Sequence, residues 1–296
     1  MKLLFSVLFS EHMLKKLERI TLVASIVGFL LHLALVSLFN TGILGALDPS
    51  LFSNPISAIY TPFSIILIYE IYVLIYFVPR SFTTSLLKQF EIIALILIRR
   101  IFGDISKINF ELATIQDKEV IQLFIDLLSV LVLLTIILFY TRVNARLSQL
   151  NPASSDAVFR QYKKQLAAAL VVIIFIISAV HLTDYLYVVF AGDHLFAGME
   201  NDLNAIFYKD FFTVLILSDV LVLLLSYGLT KENFKLLRNT GFVISTVLIR
   251  ISFSTQGFYN SVFIITGALF GLAILKIYYE FVRVDKAHYL SQAPSE

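Results

Sequence analysis

The chain of 296 residues contains no cysteine and no tryptophan, and only 15% of its residues are charged. Without cysteine, disulfides, thiolate metal sites and cysteine nucleophiles are excluded. A soluble domain of this size carries about 25% charged residues, so the charge content is too low for one. The net charge of +2 is too small to indicate nucleic-acid binding, and no polar stretch is long enough to form a separate soluble domain.

Apolar residues dominate the composition of the chain. They make up 58% of the chain, and the mean hydropathy is +0.86. These values predict an all-α polytopic membrane protein. Eight segments are predicted to cross the membrane, at 19–40, 57–78, 86–102, 120–141, 166–190, 205–228, 239–253 and 260–282. The third and seventh segments are short for a spanning helix, but arginines at their ends can extend towards the interface.

Lysine and arginine in the connections predict the orientation, because short cytoplasmic loops carry the excess of positive charge. One side of the predicted membrane receives Lys2, Lys15, Lys16, Arg19, Arg80, Lys88, Arg142, Arg146, Arg160, Lys163, Lys164, Lys231, Lys235, Arg238, Arg283 and Lys286. The other side receives only Lys107, Lys118 and Lys209. Both termini are therefore predicted to be cytoplasmic, and a multi-pass protein of the plasma (inner) membrane is expected.

The two halves of the sequence are similar to each other. The matching residues are Lys15-Lys16 with Lys163-Lys164, His32 with His181, Glu70 with Asp219, Arg99 with Arg250, and Arg142 with Arg283. Four spans per half is an even number, so the halves are predicted to be parallel four-helix repeats that form an internal pseudo-dimer. The predicted domains are a first repeat at 1–142, a cytoplasmic linker at 143–163 and a second repeat at 164–296.

The stretch from Ser178 to Phe190 places two ionisable residues inside a long apolar run. His181 and Asp184 are three residues apart, so they share one face of a helix. An aspartate deep in hydrocarbon costs about 2.5–3.5 kcal/mol, so Asp184 is expected to have a partner. By predicted depth, the strongest candidate is Arg250, at the end of the seventh span.

The polar residues of the second half resemble a pattern found in the phosphate-starvation-inducible PsiE family of small four-span membrane proteins. The pattern has H-L-x-D in the first span, an acid in the second, an arginine closing the third and an aspartate entering the fourth. The second half carries His181-Leu182-Thr183-Asp184, Asp219 and Arg250, while Thr255 and Asn260 stand where later acids are expected.

The first half resembles the same family with different departures. It carries His32-Leu33, Glu70, Arg99 followed by Asp104, and Asp126, but Leu35 stands where the first-span aspartate is expected. The resemblance implies four-span units in a membrane and a link to phosphate starvation. It implies no reaction, because the family is named for the condition in which it is produced.

The intramembrane ionisable residues are the candidate functional residues. They are His32, Glu70, Arg99, Asp126, His181, Asp184, Asp219 and Arg250. The predicted pairings are Arg99 with Glu70 or Asp126, and Arg250 with Asp184 or Asp219, because an arginine can bind a carboxylate through two hydrogen bonds.

Two functions agree with this set of residues. The residues could line a path for a proton, an ion or a small solute, since chains of His, Asp and Glu relay protons. Alternatively, they could be structural ion pairs in a non-catalytic membrane scaffold. An enzyme is not expected, because the H-E-x-x-H, P-loop and G-x-S-x-G motifs are absent. A metal-dependent enzyme using His181, Asp184 and Asp219 is the minor alternative; no cofactor is expected, and the lipid bilayer is the expected partner.

Overall fold

The computed structural model describes residues 9–41, 55–107, 117–150, 157–191, 203–229, 232–252, 255 and 257–292. Within these ranges the regular structure is helical. The helices are α1 (Glu11–Asn40), α2 (Tyr60–Phe77, preceded by a 3-10 helix at Pro55–Ile59), α3 (Phe82–Lys107), α4 (Lys118–Leu150), α5 (Ala157–Ala191), α6 (Leu203–Leu229), α7 (Asn233–Ser252) and α8 (Phe258–Gln292). The predicted all-α class is confirmed.

Each predicted span overlaps a different one of these helices, and most of the helices extend several residues beyond the span at one or both ends. In the part of the chain that the structure describes, four helices are long and apolar enough to cross a membrane, within Glu11–Asn40, Lys118–Leu150, Asp210–Gly228 and Phe258–Lys286, and a shorter apolar helix covers Thr61–Phe77. Large apolar side chains such as Ile68, Phe175 and Tyr259 are at least 70% exposed. Surfaces of this kind suit a lipid environment, because exposing them to water would be costly.

Capping residues explain where several helices begin. Ser10 precedes α1, and its Oγ accepts a hydrogen bond from the backbone N–H of Met13 at 3.1 Å. Ser81 does the same for α3, accepting from the N–H of Thr84 at 3.2 Å. Before α8, Gly257 has a φ of 64°, a conformation that glycine adopts without strain. These residues satisfy N–H groups that a helix start leaves without partners.

The chain divides into two compact units. Unit 1 comprises Met1–Tyr76 and Gln89–Leu134, and unit 2 comprises Phe77–Lys88 and Thr135–Glu296. These boundaries differ from the predicted domains at 1–142, 143–163 and 164–296. The predicted domains describe sequence repeats, which compactness does not measure, and they remain a prediction. Helices α4 and α5 extend into the predicted linker, up to Leu150 and from Ala157, and 151–156 lies outside the described residues.

The core of unit 2 contains the close contact between α7 and α8. A Cβ atom added at Gly267 would lie 2.7 Å from Cγ1 of Ile249, and one added at Gly241 would lie 2.7 Å from Cγ1 of Ile274. The hydroxyl of Ser245 donates to the carbonyl of Gly267 at 2.6 Å. Small residues and a side-chain hydrogen bond therefore bring α7 and α8 together, which is the usual way that membrane helices associate.

Candidate functional site

The first ion pair joins α3 and α4 in unit 1. Asp126 is completely buried; its Oδ2 accepts from Nε of Arg100 at 2.8 Å, and its Oδ1 accepts from Nη2 of Arg100 at 2.5 Å. Gln122, one turn earlier on α4, donates to Oδ1 at 2.9 Å. The carboxylate is thus held by a two-pronged arginine contact and an amide, a strong and directional arrangement.

This pair differs from the predicted one, which joined Arg99 to Glu70 or Asp126. Arg100, the next residue along α3, is the arginine observed to donate to Asp126. The reason is helical geometry: neighbouring residues on a helix point about 100° apart, so Arg99 and Arg100 face different elements. Arg99 donates from Nη1 to the backbone carbonyl of Phe63 on α2, at 3.4 Å.

Glu70 lies on α2 near Arg99. It is only 5% exposed, and its Oε2 has no hydrogen-bond partner among the described residues. The charge of Arg99 is close enough to interact electrostatically with the Glu70 carboxyl. Phe63, whose carbonyl Arg99 contacts, and Glu70 are about two turns apart and share one face of α2. Glu70 and Arg99 therefore belong to one site, which we call the Glu70 site.

His32, on α1, contacts a different face of α2 from the one that carries Glu70. Its Nδ1 lies 2.5 Å from Oγ1 of Thr61, where α1 approaches α2. Thr61 and Glu70 are nine residues apart, about two and a half turns, so they point to opposite sides of the helix. His32 is consequently not part of the Glu70 site, although the sequence grouped the two residues.

The second ion pair joins α6 and α7 in unit 2. Nη1 of Arg250 lies 2.8 Å from Oδ2 of Asp219, and the Arg250 side chain is 4% exposed. The hydroxyl of Thr246, one turn before Arg250, donates to the same carboxylate oxygen at 2.9 Å. Of the two partners predicted for Arg250, Asp219 is the one observed in contact.

His181 and Asp184 lie on α5, but their side chains are outside the described residues. The predicted contact of Asp184 with Arg250 therefore remains a prediction. The same holds for the metal site suggested for His181, Asp184 and Asp219. Among the described residues, no group of three His, Cys, Asp or Glu side chains is placed to hold a metal ion.

A polar cluster around Arg238 was missed by the sequence analysis. Arg238 donates from Nε and Nη2 to Oδ1 of Asn239 at 3.2 and 2.9 Å, and Nδ2 of Asn239 donates to Oγ of Ser226 at 2.8 Å. The guanidinium lies over the ring of Tyr278, 4.5 Å from its centroid. Burial lowers the pKa of Arg238. Sequence reasoning treated this residue only as an orienting loop charge.

Lys163 was also assigned to the cytoplasmic flank, yet it is 3% exposed. Its Nζ donates to the backbone carbonyl of Arg80 at 2.9 Å and lies 4.1 Å from the ring centroid of Phe82. Burial lowers the pKa of Lys163 to about 7; the charge of Asp219 opposes this shift, and that of Arg238 adds to it. No sequence signal distinguishes this lysine from its exposed neighbour Lys164.

No protein-family model, curated protein or solved structure matches the chain.

Proposed function

We propose that the protein is an eight-span protein of the plasma membrane, built from two parallel four-helix repeats, with both termini cytoplasmic. The coincidence of eight helices with eight predicted spans supports this topology. So do the four apolar helices that are long enough to cross a membrane. Reporter fusions after residues 150 and 292 should behave alike, and one in 192–202 should behave oppositely. Equal behaviour at all three positions would contradict the topology.

We further propose that the membrane domain carries protons or a small cation, with Glu70 as the binding group. One observation carries this proposal: Glu70 is buried, and its Oε2 has no hydrogen-bond partner among the described residues. A buried carboxyl oxygen without a hydrogen bond is costly to keep, so it needs an explanation, and a role in binding a proton or cation is one. A carboxyl group inside a membrane can bind and release a proton or cation.

Asp126 and Asp219, the other acids of the candidate set whose side chains are described, are poorly suited to carry a proton or a cation. Asp126 is held by Arg100 and Gln122, and Asp219 is held by Arg250 and Thr246. Releasing either carboxylate would leave a buried or partly buried arginine without its counter-charge, which is strongly unfavourable. We therefore assign these two pairs a structural role and the Glu70 site the transport role.

Proton flux into liposomes tests the transport role. Purified protein is reconstituted with an internal pH-sensitive dye, and flux is started with a potassium diffusion potential. The wild-type protein should raise the rate above that of empty liposomes, and Glu70→Gln should return it to that background. The matched control is Glu119→Gln, which changes an exposed glutamate in the first turn of α4 and should keep full flux.

The second candidate is a membrane scaffold without transport, and the two ion pairs favour it. Both pairs are made by short contacts between different helices, so they can fix helix register. A scaffold predicts that wild-type liposomes are no more permeable than empty ones to protons, potassium, sodium or inorganic phosphate. The link to phosphate starvation rests on the family resemblance, and induction of the protein when phosphate is withdrawn would test it.

A further inference from the structure

The turn between α2 and α3 is held by side chains from two other helices of unit 2. The amine of Lys163, at the start of α5, donates to the carbonyl of Arg80 at 2.9 Å. The hydroxyl of Tyr140, on α4, donates to the carbonyl of Thr83 at 3.1 Å. Both side chains are buried. The backbone carbonyls at the turn therefore accept hydrogen bonds from two buried side chains, and one of these, the amine of Lys163, is a base.

Besides the Arg80 carbonyl, an aromatic ring and two opposite charges act on the Lys163 amine. The ring of Phe82 lies beneath it, 4.1 Å from centroid to Nζ. Asp219 on α6 and Arg238 on α7 act on it electrostatically with opposite sign, and the Arg80 side chain is exposed. The neutral amine and the ammonium ion can both donate to the Arg80 carbonyl, but only the ammonium must lose its hydration to remain there.

We propose that Lys163 is a proton-sensitive clasp on the turn between α2 and α3: a neutral amine favours the closed state, and protonation of the amine favours the open state. In the open state, Lys163 leaves the Arg80 carbonyl and the Phe82 ring and reaches water. The proposal concerns this turn and goes beyond the assignment of Glu70 as the transported ion's site. It would stand if Glu70 carried nothing.

The direction of the pH dependence follows from the two states of the lysine. Burial lowers the pKa of Lys163 to about 7 in the closed clasp, from 10.5 for an exposed lysine. Between these two values the open state binds more protons, so a fall in pH favours opening. Below about 7 both states are charged, and the balance stops changing.

Spin-label distances test the clasp, and the absence of native cysteine makes labelling specific. Cysteines replace Arg80, whose backbone carbonyl is kept, and the exposed Gln161 on α5. Pulsed EPR should show mainly a short distance at pH 10. At pH 7 the share of a second, longer distance should be at least about five times its share at pH 10. Identical distance distributions at the two pH values would overturn the proposal, and this test leaves Lys163 itself unaltered.

Two matched variants assign the effect to this lysine. Lys163→Gln keeps a neutral donor and should give the short distance at both pH values. Lys164→Gln removes the exposed neighbouring charge and should behave as the wild type. The proposal is overturned if Lys163→Gln keeps the pH-dependent long distance, if it shows the long distance at pH 10, or if Lys164→Gln abolishes the effect.

Discussion

Arg99 and Arg250 correspond to each other in the predicted repeat, but their acids are held differently. In unit 2, Arg250 contacts Asp219 at 2.8 Å, and Thr246 supports the contact. In unit 1, Arg99 donates to the Phe63 carbonyl, and Oε2 of Glu70 has no hydrogen bond among the described residues. The same types of residue thus make a direct ion pair in unit 2, whereas in unit 1 one carboxyl oxygen has no hydrogen bond among the described residues.

The fourth helix of each half explains part of this difference. In unit 1, α4 supplies Asp126, which takes the neighbouring Arg100. In unit 2, the start of α8 supplies the neutral Asn260 instead, whose Nδ2 donates to the carbonyl of Ser252 at 2.6 Å. The first half therefore has an additional ion pair between its third and fourth helices that the second half lacks.

The largest expected effect of a single change is at Asp219. Asp219→Asn should lower the free energy of unfolding by about 3–5 kcal/mol, because it removes the carboxylate that contacts Arg250, whose side chain is only 4% exposed. Unfolding in mixed detergent micelles measures this loss. The double change Asp219→Leu with Arg250→Leu should be milder than Asp219→Asn alone. An equally large loss in the double variant would mean that the pair is not the cause.

Asp126→Asn should cost less, about 1–3 kcal/mol, although Asp126 is the more buried acid. The remaining Arg100 side chain is 30% exposed and can turn towards a polar environment, whereas Arg250 cannot. The same unfolding measurement ranks the two variants. A larger loss at Asp126 than at Asp219 would show that acid burial, rather than the exposure of the remaining arginine, decides the cost.

Disturbing the close packing of α7 against α8 should lower the free energy of unfolding by less than the change at Asp219. Gly267→Ala should destabilise by about 1–2 kcal/mol, because its Cβ would lie 2.7 Å from Ile249 and 3.0 Å from the carbonyl of Ser245. Gly228→Ala is the matched control, since a Cβ at that helical position meets nothing within 4 Å. It should leave stability unchanged or raise it by up to about 1 kcal/mol. Equal losses at both glycines would rule out the packing explanation.

The smallest expected effect on stability is at Glu70. Glu70→Gln should change the free energy of unfolding by less than about 1 kcal/mol, because the Oε2 that it replaces has no hydrogen bond among the described residues to lose. Circular dichroism and unfolding in the same micelles check this. A loss as large as that of Asp219→Asn would mean that Glu70 is a structural partner like the other acids.

Sequence alone predicted the helices because long apolar runs are visible without knowing the fold. It could not choose between Arg99 and Arg100 as the partner of Asp126, since that depends on which way α3 is rotated. It also treated Lys15-Lys16 and Lys163-Lys164 as equivalent pairs. Lys15 and Lys16 are exposed, as is Lys164, but Lys163 is buried. Burial of one lysine in a matched pair is set by packing from distant helices, which no local pattern records.

The most direct test of the divided roles compares two folded variants in the same liposomes. Glu70→Gln should reduce proton flux to that of empty liposomes, while the Asp219→Leu with Arg250→Leu double variant should keep at least about half of the wild-type rate. Circular dichroism confirms that both are folded before flux is measured. Flux that persists in Glu70→Gln, or that is lost in the folded double variant, would contradict the assignment of transport to the Glu70 site and structure to the Asp219–Arg250 pair.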